Sequence, residues 1–317
     1  MKSEVRIAYY GAWGASRDCD AIQPENIPAG VLTHINVAFE YITEDHKIEG
    51  KVGSIMARTS RLKRTYPGLR VNVAIGGWTF NDPPTRDRFS KMASTYPNQQ
   101  IFIDSLIDYM QKYSLDGADI DWEYPAADDR GGKPVDFDNF VILCANIKKA
   151  FNSVDPGWQL TITLPSSYWY LRGFDIKRLE EHVDWFNVMT YDIHGTWDKK
   201  LKFTGPYLKG HTNTTEIEDG LDLLWRNGIS PSNVVMGYGF YGRGFVMEDN
   251  SCTSPPNCRF SDPSLPGSCT NEAGILSYSG QSWSSEPAYD YNYLSLQVTL
   301  TSLFLYRNNE PQGRVGF

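Results

Sequence analysis

A (β/α)8 barrel of the α/β class is the fold that the sequence predicts, and three observations predict it. Seven short apolar, β-branched and aromatic runs recur along 317 residues, and longer stretches with helix-like apolar spacing lie between them. Alternation of this kind gives parallel strands joined by crossover helices, and seven such units point to a barrel. A doubly wound sheet is the competing arrangement. It is expected to carry GxGxxG after its first strand, where this chain has YYGAWGAS.

Taken in order, the runs are RIAYYGAW, THINVAFEYI, RVNVAIGGW, GADIDWEY, LTITLP, WFNVMTYD and NVVMGYGF. Between them, Gln99 to Tyr113 places Ile101, Ile103, Leu106, Ile107 and Met110 at broadly helical spacing, and Phe137 to Phe151 and Ile217 to Trp225 read the same way. After Gly244 the pattern changes. Residues 245–290 are rich in Ser, Pro, Gly and Cys, which reads as an insertion after strand 7 rather than another βα unit. The segment Val298 to Tyr306 is apolar and β-prone, but polar RNNEPQGR follows it with no final helix, so the eighth strand is expected to be incomplete or atypical. The expected division is 1–244 for barrel strands 1–7, 245–290 for the cysteine-containing insertion and 291–317 for an atypical C-terminal segment.

Composition narrows the function classes. Apolar content of 41% with 21% charged residues fits a packed globular chain. A net charge of -8 without a basic block argues against nucleic acid, because phosphate binding draws its affinity from clustered Lys and Arg. No run of about 18 apolar residues exists, so no membrane span is read. Aromatic content of 14% is high, and flat apolar rings stack on sugars, although most Trp and Tyr side chains fill cores and interfaces. The N-terminus has no signal-peptide h-region, so either the protein is cytosolic or a leader is lacking. Of five cysteines, Cys252, Cys258 and Cys269 cluster in a loop, which suits disulfides in an oxidising compartment. Metal binding by this cluster is the alternative, without His at ligand spacing. Cys144 is expected to be a free core thiol, because Phe140, Cys144, Ile147 and Phe151 share one helix face. Asn213-Thr214-Thr215 is a glycosylation sequon, a tripeptide that also occurs by chance.

The most informative segment is LDGADIDWEYP, from Leu115 to Pro125. On a strand, successive side chains alternate faces, so Asp119, Asp121 and Glu123 form a column on one face opposite Ala118, Ile120 and Trp122. Neighbours two apart are roughly 7 Å separated along a strand, so like charges in a dry interior resist simultaneous ionisation. One or more of the acids should hold a proton near neutral pH. Glu123, the outermost, is the best general acid, since catalytic groups sit at the C-terminal ends of barrel strands. Asp116 has the opposite parity and reads as structural. A surface acidic run is the plain alternative, and the apolar opposite face makes it improbable. A divalent metal site is the other, and the surrounding aromatics offer few oxygen ligands.

DGADIDWEYP resembles the DxxDxDxE signature of glycoside hydrolase family 18 chitinases. RIAYYGAW, THINVAFEYI, AIGGW, NVMTYD and GYGFYGRGF resemble the first, second, third, sixth and seventh strands of that family, and AGILSY resembles part of its α/β insertion. The cysteine-bearing insertion and PPTRDRFSKMA look most like fungal chitinases related to the killer-toxin type.

The resemblance implies hydrolysis of β-1,4-linked N-acetylglucosamine polymers, with chitin or chitooligosaccharides as the partner and no cofactor or metal. It also implies a secreted enzyme and a monomer. The family is a recognised exception to the two-carboxylate scheme, and no enzyme nucleophile is evident opposite Glu123. The substrate's own N-acetyl carbonyl then attacks the anomeric carbon while Glu123 protonates the leaving oxygen. By resemblance, Asp121 bonds the acetamide N–H, Asp119 tunes Asp121, Tyr191 and Asp192 position the acetamido group with Met189 beside them, and Arg243 binds sugar. Tyr9, Phe39, Gly76, Gly77, Trp78 and Tyr124 complete the lining, with Trp13 and Trp169 as outer stacking positions. Barrel-layer filling is the plain alternative for Phe39, Met189 and Trp78. His34, His182, His194 and His211 pair with no Ser or Cys and read as structural or surface residues.

Two departures stand out. Ala74 occupies a position where the family usually has Ser, which questions part of the support of Asp119, and nothing after Ala288 supplies the family's eighth-strand Trp. The competing functions are a catalytically silent chitin-binding lectin or toxin subunit and an endo-β-N-acetylglucosaminidase.

Overall fold

The computed structural model describes residues 5–267, 269–277 and the strand at 302–305. Seven strands run parallel: β1 (Arg6–Gly11), β2 (His34–Glu40), β3 (Arg70–Gly76), β4 (Gly117–Asp121), β5 (Gln159–Pro165), β6 (Trp185–Met189) and β7 (Val234–Tyr238). Each coincides with one of the seven runs. The connections carry α1 (Gly53–Ser60), α2 (Arg88–Ala93), α3 (Tyr96–Tyr113), α4 (Asp136–Val154), α5 (Tyr168–Leu171), α6 (Ile176–Leu179) and α7 (Thr214–Arg226), while short 3-10 turns alone join β1 to β2.

Period-two alternation sorts the strands into two layers. Ile7, Tyr9, Ala38, Ala74, Trp185 and Val235 pack together inside the barrel. Ala8, Val37, Val73, Ile120 and Ile162 belong to the larger core that also holds Phe102 and Leu106 of α3 and Phe140, Cys144, Ile147 and Phe151 of α4. Cys144 is a buried free thiol, as its helix face predicts. Burying a side chain the size of Phe140 stabilises by about 1.5–3 kcal/mol, so this layer holds the helices on the sheet. Helix starts follow local capping: Thr95 accepts from Asn98 N at 3.3 Å before α3, and Asn213 accepts from Glu216 N at 2.9 Å before α7. The amide of the sequon residue Asn213 thus caps a helix.

Beyond β7, β8 (Gly242–Arg243) pairs antiparallel with β11 (Ile275–Leu276), and β9 (Phe245–Met247) with β10 (Phe260–Pro263). A disulfide joins Cys252 to Cys258 within this excursion, and another joins Cys269 to Cys19 beyond β1. The cysteine cluster is therefore consumed by disulfides rather than offered to a metal. The last strand, β12 (Ser302–Leu305), lies antiparallel between β7 and β1 and closes the barrel. It falls within the apolar Val298 to Tyr306 segment, and its direction departs from the parallel order of the other seven, in line with the expectation of an atypical eighth strand. The rest of the segments expected at 245–290 and 291–317, residues 268, 278–301 and 306–317, lies outside the described residues.

Candidate active site

The acidic column stands inside the barrel. Asp119 and Asp121 belong to β4, and Glu123 follows two residues beyond its end; all three are buried. Asp119 Oδ2 accepts from the Tyr9 hydroxyl at 2.6 Å, and Oδ1 accepts from Thr161 Oγ1 at 2.5 Å and Asn187 Nδ2 at 2.9 Å. Asn187 is oriented in turn by Trp185 Nε1 at 2.9 Å. Strands β1, β5 and β6 thus supply three donors to one carboxylate. Ala74 is the register partner of Asp119 on β3, so the support questioned by its missing hydroxyl is provided from the other strands. Asp121 accepts from the Thr163 hydroxyl. Asp116, of opposite parity, faces away from the column: it pairs with Lys63 and accepts from Val71 N, both at 2.8 Å.

Burial dominates the protonation of the column. It raises Asp119, against the three donors that favour its charge. Burial also holds Asp121 well above the ordinary carboxylate range, and the neighbouring Glu123 charge adds to this. Glu123 is pushed up to about 7 by burial, with Asp192 and Asp82 reinforcing the shift and Tyr124 and Arg130 opposing it. The outermost acid therefore carries a proton at moderately acid pH, which is what donation to a leaving group requires.

Around Glu123, the Tyr124 ring is buried and stacks on Tyr170 with centroids 4.2 Å apart. Arg130 is a residue that sequence reasoning missed, since a lone Arg in the loop DDRGG gives no signal. Its guanidinium bonds Glu123 O at 3.2 Å, Asp82 Oδ1 at 2.6 Å and Trp78 O at 2.8 Å, and lies 3.7 Å from the centre of the Trp78 ring. Trp78 is 51% exposed, which corrects the barrel-filling alternative for it. Gly76 and Gly77 have φ of 114° and 83°, and a Cβ at Gly76 would lie 2.1 Å from Asp121 O, one at Gly77 2.7 Å from the Phe39 ring. Their lack of a side chain lets β3 turn against the acidic strand. Phe39 is half-buried, with Trp13 stacked 6.2 Å away.

On the opposite side, Met189 ends β6 half-buried, and Tyr191 and Asp192 follow it. Tyr191 packs against the inner cluster and meets Tyr241 edge-on at 6.3 Å. Asp192 Oδ1 accepts from Arg243 Nε at 2.7 Å, and the Arg243 guanidinium lies over the Trp197 ring at 4.6 Å. Arg243 thus meets Asp192 through Nε, and Tyr9 meets Asp119 through its hydroxyl. Trp169 is exposed on α5, with Arg172 over its ring at 3.9 Å. Of the histidines, His34 is buried against Gln159 and Thr33, and burial lowers its pKa to about 4. His194 is buried between Asp198 at 2.6 Å and Glu216 at 2.8 Å; burial opposes its charge, but the two carboxylates outweigh burial and raise its pKa. His211 touches Asp192, a contact that its place in the sequence does not announce.

Three comparisons bear on this arrangement. The sequence matches the profile described as "Glycosyl hydrolases family 18" over residues 5–306. It is 35% identical over 278 residues to "Killer toxin subunits alpha/beta" of Kluyveromyces lactis, covering 86% of this chain and 23% of that protein. It is 30% identical over 283 residues to "Probable chitinase LysM11" of Penicillium expansum, covering 86% of this chain and 25% of that one. The chain therefore spans a quarter or less of the length of these curated relatives. Among solved structures, a mutant of catalytic domain 2 of the Ostrinia furnacalis Group II chitinase, in complex with penta-N-acetylchitooctaose, superposes with a TM-score of 0.76 at 25% identity, covering 88% of this chain and 75% of that one.

Proposed function

The chain belongs to glycosyl hydrolases family 18, and from that premise we propose that it is a chitinase cleaving β-1,4-linked N-acetylglucosamine polymers, with Glu123 as acid and then base. The observation that carries this reading is the buried column itself, in which Glu123 stands outermost beyond Asp119 and Asp121 of β4, with burial raising its pKa to about 7. In the proposed cycle Glu123 protonates the glycosidic oxygen while the substrate's N-acetyl oxygen attacks its own anomeric carbon. Asp121, with its pKa raised, bonds the acetamide N–H, and Asp119 sets the charge that Asp121 carries. Tyr191 and Asp192 hold the acetamido group, and Arg243 holds Asp192. Water then opens the intermediate, with Glu123 accepting its proton. Phe39, Trp78, Tyr124 and Met189 line the sugar path, and the half-buried or exposed state of Phe39, Trp78 and Met189 supports that placing.

Two disulfides support work in an oxidising, extracellular compartment. No described helix is long and apolar enough to cross a membrane.

Two inversions at the anomeric carbon leave a β product. Proton NMR of early chitooligosaccharide products, run beside colloidal chitin and a high-mannose glycopeptide, tests the reading. Initial β-anomer from chitin substrates supports it; initial α-anomer contradicts it, and cleavage of the glycopeptide alone makes the protein an endo-β-N-acetylglucosaminidase. A second reading, a sugar-binding part of a toxin, is favoured by the 35% identity to the Kluyveromyces lactis protein. It predicts binding of chitooligosaccharides without release of reducing ends.

A further inference from the structure

Asp192 stands three residues beyond the end of β6 with φ of 56°, in the left-handed region that Asp enters more readily than most residues with a side chain. Its backbone is held by a residue nineteen positions away in the chain. The Asp192 N–H donates to His211 Nδ1 at 3.3 Å, and the next amide, Ile193 N–H, donates to His211 O at 3.1 Å. His211 therefore receives two consecutive backbone donors, one on its ring and one on its carbonyl.

The ring's protonation follows from its partners. Nε2 lies 3.1 Å from Tyr241 O, an acceptor only, so Nε2 carries the hydrogen. Nδ1 takes the Asp192 N–H at 3.3 Å, the one contact at Nδ1 with hydrogen-bond geometry, while Asp192 Oδ1 lies farther off at 3.6 Å, so the geometry calls for a bare Nδ1. A neutral Nε2–H imidazole satisfies both contacts; a doubly protonated ring opposes the Asp192 amide. Burial, and the Arg243 charge with it, favour the neutral ring, against the pull of Asp192. The ring is 3% exposed and stacks on Tyr241 at 5.1 Å with an interplanar angle of 22°, so it has little room to turn.

His211 is itself anchored. Asn213 caps α7, and Glu216 on that helix holds His194 Nε2 at 2.8 Å, fastening the segment after β6 to the first turn of α7. The carboxylate at the other end of Asp192 bonds Arg243, and its charge raises the pKa of Glu123. Displacing the Asp192 backbone would thus move a group that acts on the acid.

We propose that His211, as its neutral Nε2–H tautomer, is a positioning residue that fixes Asp192 and thereby sets where the substrate's N-acetyl group is held. This rests on the reading of Asp192 given under the proposed function. His211→Phe keeps a ring to stack on Tyr241 and removes both ring hydrogen bonds, whereas His211→Asn restores an acceptor near Nδ1.

The test is a double-mutant cycle on a chitin tetramer with Asp192→Asn, His211→Phe, the pair, and His211→Asn, alongside ¹⁵N NMR of the wild-type imidazoles. His211→Phe should lower kcat about tenfold, with KM changed less than about threefold, and should have little further effect once Asp192 is replaced. His211→Asn should recover part of the loss, and the ¹⁵N shifts should show Nε2 protonated and Nδ1 bare at neutral pH. Equal losses from His211→Phe in both Asp192 backgrounds, or an Nδ1–H tautomer, overturn the proposal. If His211→Phe does not fold, the His211→Asn cycle and the tautomer decide. If wild type and Glu123→Gln are equally inactive on the tetramer, the hydrolase reading has failed, and the NMR arm still decides the tautomer.

Discussion

The Tyr9 hydroxyl donates to Asp119 Oδ2 at 2.6 Å, joining the first strand of the barrel to the innermost acid of the fourth. Tyr9 also accepts from Asn187 Nδ2 at 2.9 Å, so one phenol links β1, β4 and β6. Tyr9→Phe removes this donor from a buried carboxylate. The expected result is a fall in kcat of about tenfold, with the far-ultraviolet circular dichroism unchanged, since a hydrogen bond to a charged group is worth about 1.5–3 kcal/mol. Wild-type kcat in that variant would show that Asp119 does not depend on Tyr9.

Glu123→Gln keeps the shape of the side chain and removes its proton. Turnover should disappear while chitooligosaccharide binding, followed by calorimetry, persists. Comparable kcat in wild type and variant would remove Glu123 from the mechanism.

The same group predicts a pH dependence. Folding raises Glu123 from 4.5 to about 7, so the native protein binds more protons than the unfolded chain between these values. Stability contributed by the protonated form is complete below pH 4.5 and is lost as pH rises through about 7. The alkaline limb of catalysis follows the same direction, with kcat/KM falling above about pH 7 as Glu123 loses the proton it must donate. Glu123→Gln should therefore be more stable than wild type at pH 9, by up to roughly 3 kcal/mol, and equal to it below pH 4. Denaturant melts at both pH values check this, and a wild type that is the more stable at pH 9 would reverse the sign.

Ala74→Ser returns a hydroxyl to the register partner of Asp119. Because Asp119 already has three donors, kcat should change less than about threefold. A gain above about tenfold would mean that a donor had been missing.

The two disulfides close loops of very different length, with sequence separations of 250 for Cys19–Cys269 and 6 for Cys252–Cys258. In a chain-entropy account the longer loop is worth about 3 kcal/mol more. The Cys19→Ser, Cys269→Ser pair should lower the urea midpoint more than the Cys252→Ser, Cys258→Ser pair. The opposite order would point to strain or residual structure as the controlling effect.

The seven parallel strands were legible because runs such as RVNVAIGGW and LTITLP combine β-branched residues with length and regular recurrence. The acidic column was legible because alternation is a local rule: Asp119, Asp121 and Glu123 share a face whatever surrounds them. What surrounds them was not. Thr161 and Thr163 are ordinary strand residues until the barrel sets them beside the acids, and Asn187 gives no hint of Asp119 from 68 positions away. His211 and Arg130 belong to the same class, with single polar residues whose partners lie on other connections. The antiparallel direction of β12 was equally hidden, since an apolar β-prone run carries no mark of the way it will point.

The guanidinium of Arg130 serves two masters at once, lying on one face of the Trp78 ring and bonding the carbonyl of Glu123. Mechanically this is a bracket: the exposed ring and the backbone bearing the acid are bolted to the same part. If a sugar stacks on the open face of Trp78 as proposed, it loads a member that Glu123 also leans on, so an occupied site should be a stiffer one, with the acid held more firmly when there is a bond for it to break.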